Sequence, residues 1–459
     1  MTRMQRHRST REPWRRRLLA VSLVIPLGLA SCAPGADQDE AADAPEEVAE
    51  PAEDEEVVLQ VLDARAGEPQ LQATYDRLDE EFESRNPGVT VERESVNLEE
   101  LLDTISLRLS EDDVPDVSAV NQGHATMGSL IDAGLIRTLD EYAEQDGWSD
   151  AQSEALLAMN GRYAAEDSTM AEGDLYAISD TGAPVGIFYN VDHLDDLGLE
   201  VPGTWDGFEA ALDAAQEGDL TPLMFGNVDA WPGIHLYQLF WNDLLRDGAA
   251  DFVYGVAPMD EATGVEASEQ AQSWVENDWL AEGWEGIDYD SSWQRFGDGE
   301  GVFLATGSWI AADLAEAEAD IGFMLMPPST GDEYVATAAG DFPMAIPTNA
   351  ANPDLAAEFI AFRVSEDAAR IYIEDGHIPA ALPDGWEDLA EEGTIQYDLL
   401  AAWERLEADE GMIPYVDWAT PDFYEVSTAE IQNLLGFNTT PDEFVDAWNA
   451  EWESFHGES

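Results

Sequence analysis

The chain has 459 residues, with 98 acidic residues against 19 basic ones, and its formal net charge is −79. A chain this acidic repels nucleic acid and anionic membrane surfaces, which argues against a nucleic-acid partner. It contains one cysteine, so no intramolecular disulfide can stabilise the fold, and its length favours more than one hydrophobic core. Because the acids are spread along the whole chain, we interpret them as a solvated surface adapted to high salt, as in a halophilic source, in preference to a site for cations.

The N-terminus carries the pattern of an export signal. Residues 1–31 hold seven arginines and then an apolar run, Leu18 to Ala30, of about 13 residues, which is shorter than the roughly 20 that a transmembrane helix needs. The run ends in Leu29-Ala30-Ser31-Cys32, which resembles the bacterial lipobox. We therefore predict a lipoprotein signal peptide over 1–31 and lipidation of Cys32, with a non-lipidated signal as the alternative. The arginines at 15–17 also allow export by the twin-arginine route.

A composition shift follows the predicted signal. Residues 32–55 hold many acids, alanines and prolines and almost no large apolar residues. Such a segment cannot bury enough surface to fold, and we predict a disordered acidic tether that lifts the folded body off the membrane.

The folded body begins with alternating strand and helix patterns. The predicted elements are strand Val57–Leu62, helix Gln70–Ser84, strand Val89–Arg93, helix Glu99–Leu109 and strand Asp116–Val120. Strands that alternate with helices at this spacing predict a parallel α/β sheet. Further along the chain we predict strands Gly186–Asn190 and Gly322–Met326 and helices Leu355–Ser365, Glu366–Glu374, Ile395–Ala408, Glu425–Leu435 and Pro441–Phe455.

Motifs of the common catalytic and metal sites are absent from the sequence. It has no G-x-S-x-G, H-E-x-x-H or P-loop, and its six histidines are scattered singly, so we predict neither a metal nor a cofactor. The segment Asp288–Ser292 hints at a calcium loop, but Trp293 and Gly299 do not fit the template, and a helix start is the better interpretation. With 98 acids any carboxylate pair can be drawn, so glycoside hydrolysis stays open as an alternative.

Aromatic residues are the most informative functional signal. Trp231, Trp309 and Trp418 each lie beside turn residues and polar groups instead of inside apolar runs. A sugar ring has an apolar face and a rim of hydroxyls, so its site needs aromatic platforms with carboxylates or amides at the edges. Partly buried packing is the alternative for each of them, and it is the favoured interpretation for the helical residues Trp403 and Trp448.

Seven segments in order resemble a known family, the extracellular solute-binding proteins of family 1, the carbohydrate branch of ABC importers that is related to maltose-binding protein. The segments are Glu81–Gly88 (EFESRNPG), Asp112–Val117 (DDVPDV), Gly173–Ile178 (GDLYAI), Gly186–Asn190 (GIFYN), Val201–Phe208 (VPGTWDGF), Gly307–Trp309 (GSW) and Asn352–Ile360 (NPDLAAEFI). The resemblance covers nearly the whole chain after the tether. It implies an α/β, two-lobed, periplasmic-binding-protein-like (type II) fold that closes on its ligand about a hinge. By the same resemblance, residues 56–182 plus 341–376 form lobe 1, and residues 183–340 plus 377–459 form lobe 2.

The resemblance also implies a ligand site in the cleft between the lobes, where open α/β sheets bind ligands. The residues that it places there are Asn121, Gln122, His124, Asp180, Thr181, Trp231, Trp309, Asp341, Phe342, Asp417 and Trp418. Asn121 to His124 should face the cleft from lobe 1, and the tryptophans should stack on sugar rings from lobe 2.

The function implied by the resemblance is binding without catalysis. The protein would be a monomer, lipid-anchored on the extracytoplasmic face of the membrane, as on a Gram-positive cell surface. It would capture a carbohydrate and present it to the transmembrane permease of an ABC importer. The alternatives are the same fold with a polyamine, a peptide or a glycerol phosphodiester as ligand, and a secreted glycoside hydrolase.

Overall fold

The computed structural model describes residues 56–146, 148–165 and 168–457. The signal peptide, Cys32 and the tether, all within residues 1–55, therefore lie outside the described residues. The described residues form one compact unit. None of the helices in the described ranges combines the length and hydropathy that crossing a bilayer requires.

The described residues contain fourteen strands and eighteen α-helices. The strands are β1 Val57–Asp63, β2 Val89–Ser95, β3 Val117–Ala119, β4 Arg162–Ala164, β5 Thr169–Met170, β6 Asp174–Leu175, β7 Ala177–Ile178, β8 Gly182–Asn190, β9 Leu223–Met224, β10 Phe303–Gly307, β11 Ile321–Met324, β12 Ala336–Gly340, β13 Met344–Ala345 and β14 Met412–Ile413. The helices are α1 Pro69–Arg85, α2 Leu98–Arg108, α3 Ser129–Asp132, α4 Asp140–Asp146, α5 Trp148–Ala151, α6 Glu154–Gly161, α7 Val191–Leu197, α8 Trp205–Glu217, α9 Pro232–Leu245, α10 Asp247–Val253, α11 Glu261–Glu276, α12 Tyr289–Gly297, α13 Ala311–Ala315, α14 Pro353–Arg363, α15 Glu366–Glu374, α16 Ile395–Ala408, α17 Phe423–Leu435 and α18 Pro441–His456.

The first sheet has the strand order β2-β1-β3-β13-β7. Strand β1 runs parallel to β2 and β3, with Val57 opposite Val89 and Val61 opposite Val117, whereas β13 is antiparallel to both β3 and β7. The predicted β-α-β-α-β start of the body is therefore confirmed. The carboxyl ends of β1, β3 and β7 lie at the same edge of this sheet.

The second sheet has the strand order β14-β12-β8-β10-β9, and β11 also pairs with β8. Strand β8 is antiparallel to β10, β11 and β12, while β9 is parallel to β10 and β14 is parallel to β12. Strands β9, β10, β12 and β14 therefore end at one common edge. This shared edge decides which loops meet in the site.

The chain passes between the two sheets at two short segments. Residues 179–181 join β7 of the first sheet to β8 of the second, and residues 341–343 join β12 of the second sheet to β13 of the first. A bridge between Thr181 and Pro379 adds the segment that follows α15. The lobe boundaries themselves remain a prediction, because the described residues group as a single unit.

Helix ends in the C-terminal region follow the local sequence. The Thr440 hydroxyl and Glu443 form a capping box, and Pro441 occupies the first turn of α18. The five predicted C-terminal helices are all present, and α15 and α16 have the predicted bounds. Trp403 and Trp448 are fully buried, as their helical positions predicted.

Candidate functional site

Six rings form an aromatic cluster at the carboxyl edge of the second sheet: Trp231, His235, Tyr289, Trp309, Tyr415 and Trp418. The ring centroids of Trp231 and Tyr289 are 4.3 Å apart, and those of Trp231 and Trp309 are 6.1 Å apart. His235 lies 5.7 Å from Tyr415, which in turn lies 5.3 Å from Trp418. The cluster therefore continues from the loop after β9 to the loop after β14.

Strand order brings these residues together from distant parts of the sequence. Trp231 precedes the first residue of α9, in the loop that follows β9, and His235 lies one turn into α9. Trp309 lies in the short turn after β10, and Trp418 lies in the corresponding turn after β14. Because these strands end at one edge of the sheet, their loops meet there.

Hydrogen bonds and a glycine fix the Trp309 platform. Its indole N–H donates to the Tyr289 hydroxyl at 2.6 Å, and that hydroxyl lies 3.2 Å from the Thr306 hydroxyl. The indole also lies over Gly307 so closely that a Cβ there would overlap the ring. The glycine of the Gly307-Ser308-Trp309 segment thus allows the indole to take this position.

A charged group faces the cluster from the carboxyl edge of the first sheet. Arg65, which follows β1, donates to Asp341 at 2.8 Å and to Glu68 at 3.3 Å, and its guanidinium lies 4.8 Å from the Phe342 ring centroid. Burial raises the pKa of the Glu68 carboxyl to about 6, although the positive charge of Arg65 acts in the opposite direction. The site therefore combines aromatic faces with carboxylates held in fixed positions.

The two carboxyl edges touch each other, and a small cavity lies between them. Its volume is about 30 Å³, and its lining includes Glu68, Thr181, Ser308, Trp309, Asp341 and His377. Ligand pockets usually measure about 300–1,000 Å³. The cleft between the two carboxyl edges is therefore closed in this structure. A ligand that fills a pocket of the usual volume can enter only when the two edges move apart.

Two further contacts join the edges at the loop after β3. A Cβ on Gly123, which has φ +84°, would lie 2.7 Å from the Cβ of Trp418. The His124 ring packs on Phe455 and His456 of α18, with centroid distances of 4.8 and 5.7 Å. Burial, together with the neighbouring His456, lowers the pKa of His124 to about 4, so its imidazole is neutral at pH 7.

Asp180, which was predicted to contact the ligand, is buried and bonded to other residues of the protein. Its carboxylate is buried, with 3% of the residue exposed, and it accepts from Arg363 at 2.5 Å and Tyr372 at 2.7 Å. The Tyr75 hydroxyl lies 3.4 Å from its other oxygen. The Thr181 hydroxyl, on the cavity lining, lies 3.4 Å from the same Oδ1. Both carboxylate oxygens thus have partners within the protein, and a ligand contact by Asp180 stays a prediction.

Other predicted residues divide between the cavity and the protein interior. Thr181 and Asp341 line the cavity, whereas Gln122 is buried and donates to Asn160 and to the Gly340 carbonyl. Asn121 is partly exposed at the end of β3. Burial raises the pKa of the Asp417 carboxyl, one residue before Trp418, to about 6.

Sequence reasoning missed His235, Tyr289, Tyr415, Arg65 and Glu68. Tyr289 lies in the segment that was interpreted as a helix start, and α12 does begin there, with the Asp288 carboxylate accepting from the Ser291 N–H at 2.8 Å. The described residues contain no group of His, Cys, Asp and Glu that could hold a metal ion. No local pattern distinguishes His235 from a core histidine, because its neighbours come from other strands.

Comparisons with known proteins agree with this architecture. A family model described as bacterial extracellular solute-binding protein matches residues 77–385. The multiple sugar-binding protein of Streptococcus mutans serotype c is 22% identical over 331 residues, which cover 70% of this chain and 74% of that protein.

Solved structures show the same fold. One, from work on xylan utilization by Caldanaerobius polysaccharolyticus, is 17% identical with a TM-score of 0.72 and covers 86% of this chain and 100% of its own. A chitin oligosaccharide binding protein is 19% identical with a TM-score of 0.71 and covers 87% of this chain and 99% of its own. The predicted two-lobed α/β fold is thereby confirmed.

Proposed function

The chain belongs to the bacterial extracellular solute-binding protein family, and we propose that it is the lipid-anchored substrate-binding protein of an ABC importer. In this proposal it captures a sugar or oligosaccharide in the cleft and delivers it to the membrane permease. The observation that carries the proposal is the aromatic cluster, which faces the Arg65, Glu68 and Asp341 group across a closed cleft.

Sugar chemistry fits this pairing of surfaces. Trp231, Trp309 and Trp418 offer flat faces for the C–H side of a pyranose ring, and Asp341, Thr181 and Asp417 offer acceptors for its hydroxyls. A closed cleft also excludes water, so each hydroxyl of the ligand must find a partner in the protein. Relatives described as sugar-binding support the same ligand class.

Among the predicted ligand residues, we propose that Trp231, Trp309, Trp418, Phe342, Asp341, Thr181, Asp417 and Asn121 contact the ligand. Asp180, Gln122 and His124 instead hold the cleft walls in place through their buried bonds and ring contacts. This division predicts that substitutions in the first group lower affinity and that those in the second group lower stability.

The anchor and the cellular location form a separate part of the proposal. Cys32 would carry the lipid, and the acidic tether would place the monomeric body outside the membrane, next to the permease. Fractionation of cells that express the full chain tests this: wild type should sediment with membranes, and Cys32→Ser should be released. Equal membrane retention of both would contradict lipid anchoring at Cys32.

The ligand is tested by thermal unfolding of residues 56–459 in high salt against raffinose, maltotriose, xylotriose and N,N′-diacetylchitobiose. A ligand at 100 times its Kd stabilises the folded state by about 2.7 kcal/mol. With an unfolding entropy of about 2.1 cal/mol/K per residue, Tm should rise by roughly 3 °C for a body of about 400 residues. No shift with any sugar, together with a shift by spermidine or a peptide, would contradict the proposed ligand class.

We propose binding without catalysis. Overnight incubation of the same oligosaccharides with purified protein should release no reducing sugar. Release that persists after further purification would instead support the glycoside hydrolase alternative.

A further inference from the structure

His235 lies inside the aromatic cluster and is surrounded by rings. It is one helical turn after Trp231 on α9, and the two ring centroids are 5.2 Å apart. The centroid of Trp309 is 5.4 Å away and that of Tyr415 is 5.7 Å away. Only 7% of the residue is exposed. His235 therefore places a polar group where the platforms of the proposed sugar site converge.

The Nδ1 atom of His235 is buried and has no hydrogen-bond partner among the described residues. On the same face of α9 the amide nitrogens of Gln238 and Asn242 donate to the Pro414 carbonyl and to the Thr337 hydroxyl. The side-chain oxygens of Gln238 and Asn242 have no partner among the described residues, as is true of His235 Nδ1, but it is His235 that lies among the rings of the aromatic cluster. A buried polar atom without a partner lowers stability, and such atoms are uncommon in folded proteins. A ligand that supplies the missing bond would remove this cost in the bound state.

The imidazole of His235 is neutral. Burial lowers its pKa to about 3, so at pH 7 one ring nitrogen carries a proton and the other accepts. A neutral ring of this kind can exchange a hydrogen bond with a hydroxyl but contributes no charge that would attract an anion. The carboxylates of Glu68 and Asp341 line the cavity, and Nη1 of Arg65 is paired with both, while Nη2 of Arg65 has no partner among the described residues. Two carboxylates therefore stand against one guanidinium in this group. The charge of the site therefore disfavours acidic sugars.

We propose that His235 is a specificity-determining residue whose Nδ1 forms a hydrogen bond with a ring hydroxyl of an uncharged sugar stacked on the aromatic cluster. This inference rests on the proposed function and deepens it, because it names a residue that forms a hydrogen bond with one hydroxyl of the sugar and states that the sugar is uncharged. Neutral oligosaccharides bind, whereas uronic-acid oligosaccharides do not.

Two isosteric substitutions separate this role from packing. An Asn side chain places its amide near the position of Nδ1, whereas a Gln amide reaches the position of Nε2. With the tightest-binding neutral sugar among raffinose, maltotriose, xylotriose and N,N′-diacetylchitobiose, calorimetry should show that His235→Asn keeps affinity within about 5-fold. His235→Gln and His235→Phe should each lose about 10- to 100-fold. His193→Gln is the matched control and should bind like wild type, because the ring of His193 lies outside the cluster, with its Nε2 2.9 Å from the Gly299 carbonyl oxygen.

A monodeoxy series of the same sugar gives the decisive readout. Wild type should lose affinity on removal of one particular hydroxyl, and His235→Phe should bind that deoxy sugar and the parent sugar equally well. If wild type and His235→Phe discriminate equally between the parent sugar and its deoxy analogue, the proposed role of His235 is overturned. Tight binding of a trigalacturonate would overturn the proposal that the ligand is uncharged. If wild type binds no sugar in the panel, the proposed function fails and this inference fails with it. If wild type binds and all three His235 variants match it, only this inference fails.

Discussion

Substitution of Gly123 by alanine should weaken ligand binding because it destabilises the closed form of the cleft and not the open form. The added Cβ would lie 2.7 Å from Cβ and 2.8 Å from Cα of Trp418, whereas carbon atoms normally pack at about 3.5–4.0 Å. Overpacking of this kind costs about 1–3 kcal/mol. Because Gly123 belongs to the edge of the first sheet and Trp418 to that of the second, the cost falls on the arrangement in which the edges touch.

The expected loss of affinity follows from this cost. A penalty of about 2 kcal/mol on the closed state lowers the affinity of a ligand that requires closure by roughly 30-fold. The backbone contributes separately, since φ at Gly123 is +84° and a left-handed conformation costs alanine about 1–2 kcal/mol. That second cost is present in open and closed forms alike, so it lowers stability without changing affinity.

Gly134 provides the matched control. Its φ is +67°, and apart from its own chain neighbours no atom of the described residues lies within 4 Å of the position of an added Cβ. Gly134→Ala should therefore lose a similar amount of unfolding free energy in urea but bind sugar like wild type in calorimetry. If Gly123→Ala binds as tightly as Gly134→Ala, closure against Trp418 is not required for binding, and the reasoning is refuted.

Three other substitutions test separate parts of the account. Trp309→Ala should lower sugar affinity by about 10- to 100-fold in calorimetry, because it removes both the stacking face and the bond to Tyr289; unchanged affinity would remove Trp309 from the site. Asp180→Asn should lower the urea unfolding free energy by about 1–3 kcal/mol, since the buried Arg363 loses the carboxylate at 2.5 Å and is left with Asp79 at 4.0 Å, whereas Kd should change little; the reverse pattern would support Asp180 as a ligand residue. The folded-state pKa of His124, about 4, lies below its unfolded value of 6.5, so the unfolded state takes up the proton first as pH falls. Stability should therefore decline between about pH 6.5 and 4, by up to about 3 kcal/mol from this residue, and urea titrations of His124→Gln should lack that part of the decline; identical pH dependence in both proteins would contradict a neutral, buried His124.

The elements that were predicted best from the sequence are those whose pattern of buried and exposed residues is visible within the element itself. The β-α-β-α-β start has one buried face per element, and its turn residues mark each boundary, so pattern and structure agree over residues 57–119. Helix α9, Pro232–Leu245, was not predicted, because twelve of its fourteen residues are buried and a helix buried on nearly all sides has little amphipathic contrast.

The site could be predicted only in part, because strands that are distant in the sequence pair in the fold and bring its residues together. Trp231 and Trp309 could be found because each stands beside turn residues, but His235 and Tyr415 became neighbours of them only through the strand order β14-β12-β8-β10-β9. Asp180 was assigned to the ligand because the resemblance places it on the segment that crosses between the lobes, and its bond to Arg363 joins residues that are 183 positions apart in the chain. Sequence spacing contains no signal for a bond of that kind.

A crystal structure of residues 56–459 grown with the tightest-binding oligosaccharide would show where the sugar binds. We expect a sugar ring between the two carboxyl edges, in van der Waals contact with Trp231 and Trp309, with the Arg65 group on its opposite side. A sugar bound on another surface, with the aromatic cluster packed as it is in the present structure, would contradict a binding site between the two carboxyl edges.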